Sequence, residues 1–189
     1  MAYGAGPELW LVRHGETEWS RAGKHTSTTD LPLTEEGEAV AEGLGAVLGD
    51  EHFDLILTSP RLRARRTAEL TGFGSAEVDD DLVEWDYGSY EGITTAEIRE
   101  TVPGWTVWSH PVPGGETADQ VGARLDRVIE RSRSVDQTLI FGHGHALRAL
   151  AARWLGLPAN DGRLFRLDTA TVSVLGYERE SPVLLHWNA

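Results

Sequence analysis

The sequence predicts a single α/β domain, in which a mostly parallel, mixed sheet carries helices on both faces as a three-layer α/β/α sandwich. Short apolar runs at Leu9–Val12, Leu55–Leu57 and Leu139–Phe141 are typical of buried strands. Patterns with helical spacing separate these runs, and two consecutive strand-like segments close the chain. A chain of 189 residues without an internal repeat or a long polar linker fits one domain over residues 1–189.

The first two helical patterns begin at recognisable signals. The pattern over Glu35–Leu48 follows Thr34, whose hydroxyl suits the N-cap, and its early glutamates suit the positive end of the helix dipole. The next pattern runs from about Pro60 to Leu70. Ser59 is its expected N-cap, and proline suits the first helical position.

Two later helices are predicted from capping boxes, in which a threonine and the side chain three residues later satisfy each other's backbone N–H groups. Thr94 pairs with Glu97 in the first box, and Pro103 would end that short helix. Thr117 pairs with Gln120 in the second, ahead of a long amphipathic pattern.

The C-terminal segment differs from the rest of the chain. Thr171–Tyr177 and Val183–Trp187 read as consecutive strands around a turn near Glu180–Pro182. Strands joined so tightly pair antiparallel, so one edge of the sheet is expected to be antiparallel.

Composition excludes several functions and locations. The formal net charge of −13 repels polyanions, so nucleic acid and anionic membrane are poor partners. The absence of cysteine removes disulfides, thiolate nucleophiles and cysteine-ligated metals. Residues 1–7 lack a charged and apolar signal sequence, and no stretch approaches the roughly 18 apolar residues of a membrane span. We therefore expect a cytoplasmic protein.

Reactive residue types follow the three apolar runs. In open α/β sheets ligands bind beyond the carboxyl ends of the strands, so these residues are expected to converge on one rim. Arg13 and His14 follow the first run, a segment with Ser59 and Arg63 follows the second, and the segment 142–145 follows the third.

His14 is the candidate nucleophile. A lone histidine after a strand is more often a hydrogen-bonded structural residue, but its neighbours favour chemistry. Arg13 offers a planar fork of donors that suits phosphate or carboxylate, and Gly15 allows a close approach of backbone to a ligand. An imidazole beside such a clamp can attack phosphorus and form a covalent intermediate.

An arginine cluster extends from Arg61 to Arg66. Cations in the first turn of a helix oppose its dipole unless an anion is bound there, so Arg63 is the expected phosphate ligand of the cluster. Arg65 and Arg66 stand at helical spacing from Glu69, which suits ordinary surface ion pairs.

Two further choices remain open on composition alone. His143 and His145 could belong to a metal site, but the sequence lacks a recognisable set of further ligands, and arginines disfavour a cation in the same pocket. A general acid is also needed, and Glu84, Asp86 and Glu91 are the candidates within an aromatic, glycine-containing segment.

The motif at residues 13–19, Arg-His-Gly-Glu-Thr-Glu-Trp, resembles the signature of the histidine phosphatase superfamily, or phosphoglycerate mutase-like family. Further blocks resemble the family's in the same order: residues 29–34 with Gly37, residues 59–64 with Thr67 and Ala68, residues 82–92, residues 113–116, and His143-Gly144. The resemblance covers most of the chain and implies a phosphoglycerate mutase-like fold.

The resemblance also implies roles for individual residues. His14 would accept the phosphoryl group, Glu84 would be the general acid and base, and the phosphoryl oxygens would be held without a metal or cofactor. The clamp and the substrate-binding residues would be Arg13, Arg63, His143, Gly15, Ser20, Thr26, Gly144, Trp85 and Tyr87.

Two positions depart from the family pattern. Ser20 stands where relatives commonly carry asparagine, which shortens or removes one contact with the phosphate or the nucleophile. His145 stands where many relatives carry a small residue, and it either lines the pocket or caps the next helix; the cap is the favoured interpretation.

The predicted activity is that of a metal-independent histidine acid phosphatase, most like the small bacterial acid phosphatases, acting on a small phosphorylated metabolite. The interval between Glu84 and His143 lacks the basic stretch of cofactor-dependent phosphoglycerate mutases, which are one alternative. A catalytically silent phospho-ligand binding module and a metal-dependent hydrolase are the others. The sequence permits a homodimer.

Substrate choice is expected to depend on the cover over the pocket, formed by Arg21–Thr28 and a cap-like insertion around residues 85–115. At least half of the aromatics in that insertion are expected to be core residues. A pocket that is roofed by aromatics and poor in lysine favours a small phosphomonoester over a bisphosphate.

Overall fold

The computed structural model describes residues 6–49 and 51–189 and has the predicted architecture, a six-stranded mixed sheet with helices on both faces. The strand order is β3-β2-β4-β1-β5-β6. The first four strands in this order are parallel, and β5 and β6 add the expected antiparallel edge. The strands are β1 (Glu8–Arg13), β2 (Leu55–Thr58), β3 (Glu77–Val78), β4 (Gln137–Gly142), β5 (Val172–Glu178) and β6 (Ser181–His186).

In the described residues, six α-helices and three short 3₁₀ segments connect the strands. The helices are α1 (Glu18–Arg21), α2 (Glu35–Leu48), α3 (Leu62–Leu70), α4 (Thr95–Thr101), α5 (Ala118–Ser132) and α6 (Gly144–Trp154). The 3₁₀ segments are Asp80–Leu82, Gly88–Tyr90 and Ala159–Leu164. None of the helices in the described part of the chain is long and apolar enough to cross a membrane. The sequence-based expectation for residues 1–7 falls mostly on residues 1–5, which lie outside the described ranges.

Two apolar clusters lie on opposite faces of the sheet, because side chains alternate along each strand. On one face Leu9 and Leu11 of β1 belong to a cluster that also contains apolar residues of α5 and α6. On the other face Val12 belongs to a cluster with residues of α2 and α3. Burial of both faces explains the continuous apolar runs of the central strands.

Three predicted helix starts are confirmed. The hydroxyl of Thr34 accepts a hydrogen bond from the N–H of Gly37, and Thr94 and Thr117 form the predicted capping boxes at α4 and α5. Local hydrogen bonds of this kind need only a few consecutive residues, which is why the sequence is sufficient to predict them.

The predicted start of α3 is wrong by two residues. The helix begins at Leu62, not Pro60, and the carboxylate of Asp30 accepts from the N–H of Leu62 at 2.8 Å. Ser59 therefore is not the N-cap. A residue from a distant loop supplies the cap, and this long-range contact leaves no local sequence pattern.

Two short elements of the structure differ from the prediction. The two-residue strand β3 and the four-residue helix α1 were not predicted, because neither carries a sustained apolar period.

In the segment 85–115, Trp85, Tyr87 and Trp105 belong to the same apolar cluster as α5 and α6, in agreement with the expectation that many of its aromatics are core residues.

Candidate active site

The first and third reactive segments meet at the carboxyl edge of the sheet. β1 and β4 are neighbouring parallel strands with Arg13 opposite Gly142, so the residue after each strand lies beside the other. The N–H of His14 donates to the carbonyl of Gly142 at 3.0 Å, and the ring centroids of His14 and His143 are 5.2 Å apart. The predicted convergence of the two histidines is confirmed.

A pocket of about 250 Å³ opens above this edge. Its walls include seven of the predicted site residues, Arg13, His14, Ser20, Thr26, Glu84, Tyr87 and Gly144, together with His25, His145, Lys24 and Arg148. A larger groove of about 570 Å³ lies between α1 and the start of α2, but the carboxylates of Glu18, Glu35 and Glu36 stand on its walls. Negative charge there disfavours a phosphate, so the smaller pocket is the candidate site.

The ring of His14 is buried and held in one tautomer. Nδ1 lies 2.7 Å from the carbonyl oxygen of Gly15, which can only accept, so Nδ1 carries the proton and Nε2 keeps its lone pair. Burial, followed by the charges of Arg63 and Arg13, holds the pKa of His14 well below its usual value. The ring is therefore neutral, with an exposed lone pair on Nε2, which is the form a nucleophile requires.

Arg13 reaches the pocket through space that a glycine leaves open. Its guanidinium donates to the carbonyl of Leu167, and its buried Nε has no hydrogen-bond partner among the described residues. A Cβ on Gly144 would stand 3.2 Å from the guanidinium carbon, so the glycine makes room for this side chain. Burial lowers the pKa of Arg13, and the nearby Glu84 opposes that effect.

The second arginine, Arg63 in the first turn of α3, is almost fully buried. Its guanidinium donates to the carbonyl oxygens of Thr26 and Thr29, each at 3.1 Å, while its Nε lacks a partner within the described ranges. Burial lowers the pKa of Arg63, and Glu84 opposes this. The loop over residues 26–29 thus orients the guanidinium, which lies behind the pocket wall next to Thr26.

Glu91, one of the three candidate acids, anchors this loop. Its carboxylate accepts from the N–H and hydroxyl of Ser27 and from the N–H of Thr29, and these hydrogen bonds keep the pKa of Glu91 below its usual value against the effect of burial. This role of Glu91 leaves no local pattern in the sequence, because the contacts connect residues more than sixty positions apart.

Glu84 is the candidate acid that lies in the pocket. Its carboxylate accepts from three backbone N–H groups: those of Trp85 at 2.9 Å, Ala146 at 2.8 Å and His145 at 3.1 Å. Two of these groups belong to the first turn of α6, where helix N–H groups have no intrahelical partner. Asp86, the third candidate, accepts from the N–H of Gly88 in the next turn.

His145 lies in the pocket wall, and the favoured interpretation of this residue as a helix cap is wrong. It is the second residue of α6, and its Nδ1 is 2.5 Å from the hydroxyl of Tyr87. Burial holds the pKa of His145 well below its usual value and raises that of Tyr87 well above its own, so the hydroxyl donates to a neutral ring.

Gly15 and Trp85 lie outside the pocket wall, and Ser20, which is part of the wall, has its hydroxyl engaged in a local contact. Gly15 faces protein and not the pocket, since a Cβ on it would stand 2.6 Å from the carbonyl oxygen of Gly37. The hydroxyl of Ser20 forms a capping box with Thr17 at the start of α1. Trp85 is buried in the core, where its indole N–H donates to the carbonyl of Glu116.

Two cations of the pocket wall were not singled out from the sequence. The guanidinium of Arg148 stacks on Trp108 at 4.8 Å, and Lys24, the only lysine in the chain, also lines the pocket. Arg148 lies one helical turn after His145, so helical spacing could have pointed to it. Lys24 carries no comparable signal.

The alternative of a metal site requires His143 and His145 to share a ligand set, and each ring instead has a separate partner. Nε2 of His143 lies 2.7 Å from the hydroxyl of Ser59, whereas Nδ1 of His145 faces Tyr87. Within residues 6–49 and 51–189, no group of three or more histidine, cysteine, aspartate or glutamate side chains is arranged to hold a metal ion.

Comparison with known proteins gives one consistent family. The family model described as "Histidine phosphatase superfamily (branch 1)" matches residues 9–189. An acid phosphatase of Mycobacterium tuberculosis is 44% identical over 176 residues, covering 90% of this chain and 86% of the relative. The sedoheptulose 1,7-bisphosphatase of Saccharomyces cerevisiae is 39% identical, covering 80% and 68%. A solved structure of an open reading frame product from M. tuberculosis superposes with a TM-score of 0.92 at 41% identity, covering 96% and 97%.

Proposed function

The chain belongs to the histidine phosphatase superfamily, and from this premise we propose that it hydrolyses small phosphomonoesters through a phosphohistidine on His14. One observation carries the proposal. The ring of His14 contacts that of His143 and lies within reach of the charges of Arg13 and Arg63. Each of these three neighbours has a buried nitrogen without a partner in the described part of the chain, namely Arg13 Nε, Arg63 Nε and His143 Nδ1, as has Arg61 Nε in the same arginine cluster. Buried donors rarely stay unsatisfied, so this cluster favours an anionic ligand at that point.

The first step transfers the phosphoryl group to the enzyme. The lone pair of Nε2 forms a bond to phosphorus while the bond to the ester oxygen breaks. Glu84, in its protonated form, gives its proton to the departing oxygen, so the product leaves as an alcohol. Arg13, Arg63 and His143 would donate to the phosphoryl oxygens, where positioning and charge stabilisation supply most of the catalysis.

The second step regenerates the enzyme. A water molecule attacks phosphorus, the bond between phosphorus and Nε2 breaks, and the carboxylate of Glu84 takes the proton from the water. Inorganic phosphate leaves, and Nε2 recovers its lone pair. The hydrogen bonds from Trp85, His145 and Ala146 keep the carboxylate at the same position in both steps.

The pocket wall supports the proposed substrate class. A volume of about 250 Å³ suits a phosphomonoester with a small alcohol. Lys24 and Arg148 also line the pocket and are not among the residues proposed to hold the phosphoryl group. They favour a second candidate substrate, one whose alcohol carries its own anionic group. The yeast relative, named a bisphosphatase, makes a sugar bisphosphate the test compound for that candidate.

The test is a phosphatase assay on a panel of simple monoesters, 3-phosphoglycerate and a sugar bisphosphate, with a chelator present. We expect wild-type protein to be active and inhibited by vanadate. His14→Ala should be inactive, and Glu84→Gln should lose about a hundredfold or more in kcat, because general acid–base catalysis contributes that much. The matched controls, His52→Ala and Glu180→Gln, change exposed residues and should retain full activity.

Each alternative predicts a different result. Full activity of His14→Ala would contradict the phosphohistidine mechanism, and loss of wild-type activity with chelator would favour the metal-dependent hydrolase. Vanadate binding without turnover of any substrate would favour the silent module. Transfer of the phosphoryl group between positions of phosphoglycerate, faster than its release as phosphate, would favour the mutase.

A further inference from the structure

Ser59 is a buried hydroxyl beside the second histidine that the proposed mechanism does not yet use. It follows β2 and precedes α3, and its side chain is fully buried. Its Oγ lies 2.7 Å from His143 Nε2. Asp30, and not Ser59 as predicted, caps the N-terminus of α3. The hydroxyl of Ser59 can therefore donate to His143.

The proton on the Ser59 hydroxyl has one acceptor among the described contacts. The N–H of Arg61 already donates to Oγ at 3.3 Å, so Oγ serves as an acceptor toward the backbone. A second N–H, from His143, would leave the serine's own proton buried without an acceptor. The arrangement that satisfies both Ser59 Oγ and His143 Nε2 has the hydroxyl donating to Nε2, which therefore carries a lone pair.

The ring of His143 then has its single proton on Nδ1. A neutral imidazole has one donor and one acceptor nitrogen, and burial together with the charge of Arg63 holds the pKa of His143 well below its usual value. Nδ1 is buried and, like Arg13 Nε and Arg63 Nε, has no hydrogen-bond partner within the described residues. In the opposite tautomer Nδ1 would present a lone pair to the phosphoryl oxygens and repel them.

We propose that Ser59 is a positioning residue that fixes the Nδ1-protonated tautomer of His143, so that this ring donates to the phosphoryl group. This inference rests on the proposed function, since the phosphoryl group is what Nδ1 would bind. The two rings are then complementary: Nε2 of His14 keeps a lone pair for attack, and Nδ1 of His143 supplies a proton for binding the phosphoryl group.

The tautomer can be observed in the resting protein by ¹H–¹⁵N NMR of the histidine rings, with the His143 signals assigned from a His143→Gln sample. We expect a protonated Nδ1 and an unprotonated Nε2 near neutral pH in the wild type. Ser59→Ala should shift the ring toward the other tautomer. Because turnover plays no part in this measurement, its outcome stands apart from that of the phosphatase assay.

Binding of inorganic phosphate supplies the second readout. Ser59→Ala should raise the phosphate dissociation constant by about tenfold, the usual cost of one hydrogen bond to a charged group. Ser59→Thr retains a hydroxyl and should restore both the tautomer and the affinity. The control is Thr138→Val, which removes another buried hydroxyl, one without a partner in the described structure, and should change neither.

Two results would overturn the proposal. One is a wild-type His143 that carries its proton on Nε2, or on both nitrogens, near neutral pH. The other is a folded Ser59→Ala protein with unchanged tautomer and unchanged phosphate affinity. If Ser59→Ala does not fold, the tautomer of His143 in the wild-type protein decides whether the proposal stands.

Discussion

His14 and His143 illustrate how much of this site is decided by single hydrogen bonds. The two rings have the same chemistry and are both buried, yet a carbonyl faces Nδ1 of His14 and a hydroxyl faces Nε2 of His143. The carbonyl can only accept, which leaves His14 a lone pair for attack. The partner of each ring, and not the ring itself, determines the role that we propose for it.

Buried histidines also make the stability of the protein depend on pH. Burial lowers the pKa of His14, His25, His143 and His145, and that of His25 falls to about 4. Below about pH 6.5 the unfolded chain binds protons that the folded protein does not. The free energy of unfolding is therefore expected to decrease as the pH falls below that value.

His25→Gln tests this dependence. The wild type should lose about 2 kcal/mol more than the variant on going from pH 7.5 to pH 5, from the lowered pKa of His25. Urea unfolding at both pH values measures the difference, in which changes in overall charge repulsion cancel. The exposed His52→Gln should behave as the wild type does. Equal pH dependence in His25→Gln and the wild type would contradict the burial effect.

At the scale of elements, the site is assembled from segments that are fixed by contacts outside it. The start of α2 packs against the loop after β1, where a Cβ on Gly37 would stand 2.3 Å from the carbonyl oxygen of Glu16. The same approach leaves no room for a Cβ on Gly15, next to the nucleophile. Helix α2 thus sets the position of the loop that carries His14.

Two glycines of α2 offer a matched pair of substitutions. Gly37→Ala should lower the free energy of unfolding and also lower kcat/KM, because the added methyl displaces the loop beside His14. Gly43→Ala meets open space on the same helix and should raise stability by about 0.5–1 kcal/mol without an effect on activity. Thermal unfolding and the phosphatase assay measure both. A Gly37→Ala protein with unchanged kcat/KM would contradict the coupling of α2 to the loop.

At the scale of the whole molecule, charge opposes the proposed function. The chain carries a formal net charge of −13, whereas the cations that would hold the phosphoryl group, the half-buried Arg13 and the buried Arg63, are few and lie at one edge of the sheet. At long range the protein repels an anionic substrate, and attraction begins only inside the pocket, within roughly a Debye length of about 10 Å at 0.1 M salt.

Ionic strength separates these two contributions. Sodium chloride screens the long-range repulsion more than the buried cluster, so kcat/KM should rise or stay constant as salt increases. The measurement is kcat/KM for a simple monoester over a salt series, with chloride chosen because sulfate would compete for the pocket. A steep loss of kcat/KM with salt would mean that the arginines of the site also dominate the approach of the substrate.

The sequence alone was sufficient for the fold class, the order of most elements and the identity of the family. Apolar runs, capping boxes and ordered motifs are local patterns, and each of them depends on residues close together along the chain. The same locality led from strand ends to Arg13, His14, Arg63 and His143.

Only the tertiary structure decided how these residues are oriented. Four contacts all join residues distant in sequence: the cap of α3 by Asp30, the anchoring of the loop over residues 26–29 by Glu91, the contact of His145 with Tyr87, and the hydroxyl of Ser59 beside His143. Such contacts impose no periodicity and no local spacing on the chain. Their physical effect is on burial and hydrogen-bond direction, which exist only after the segments have packed together.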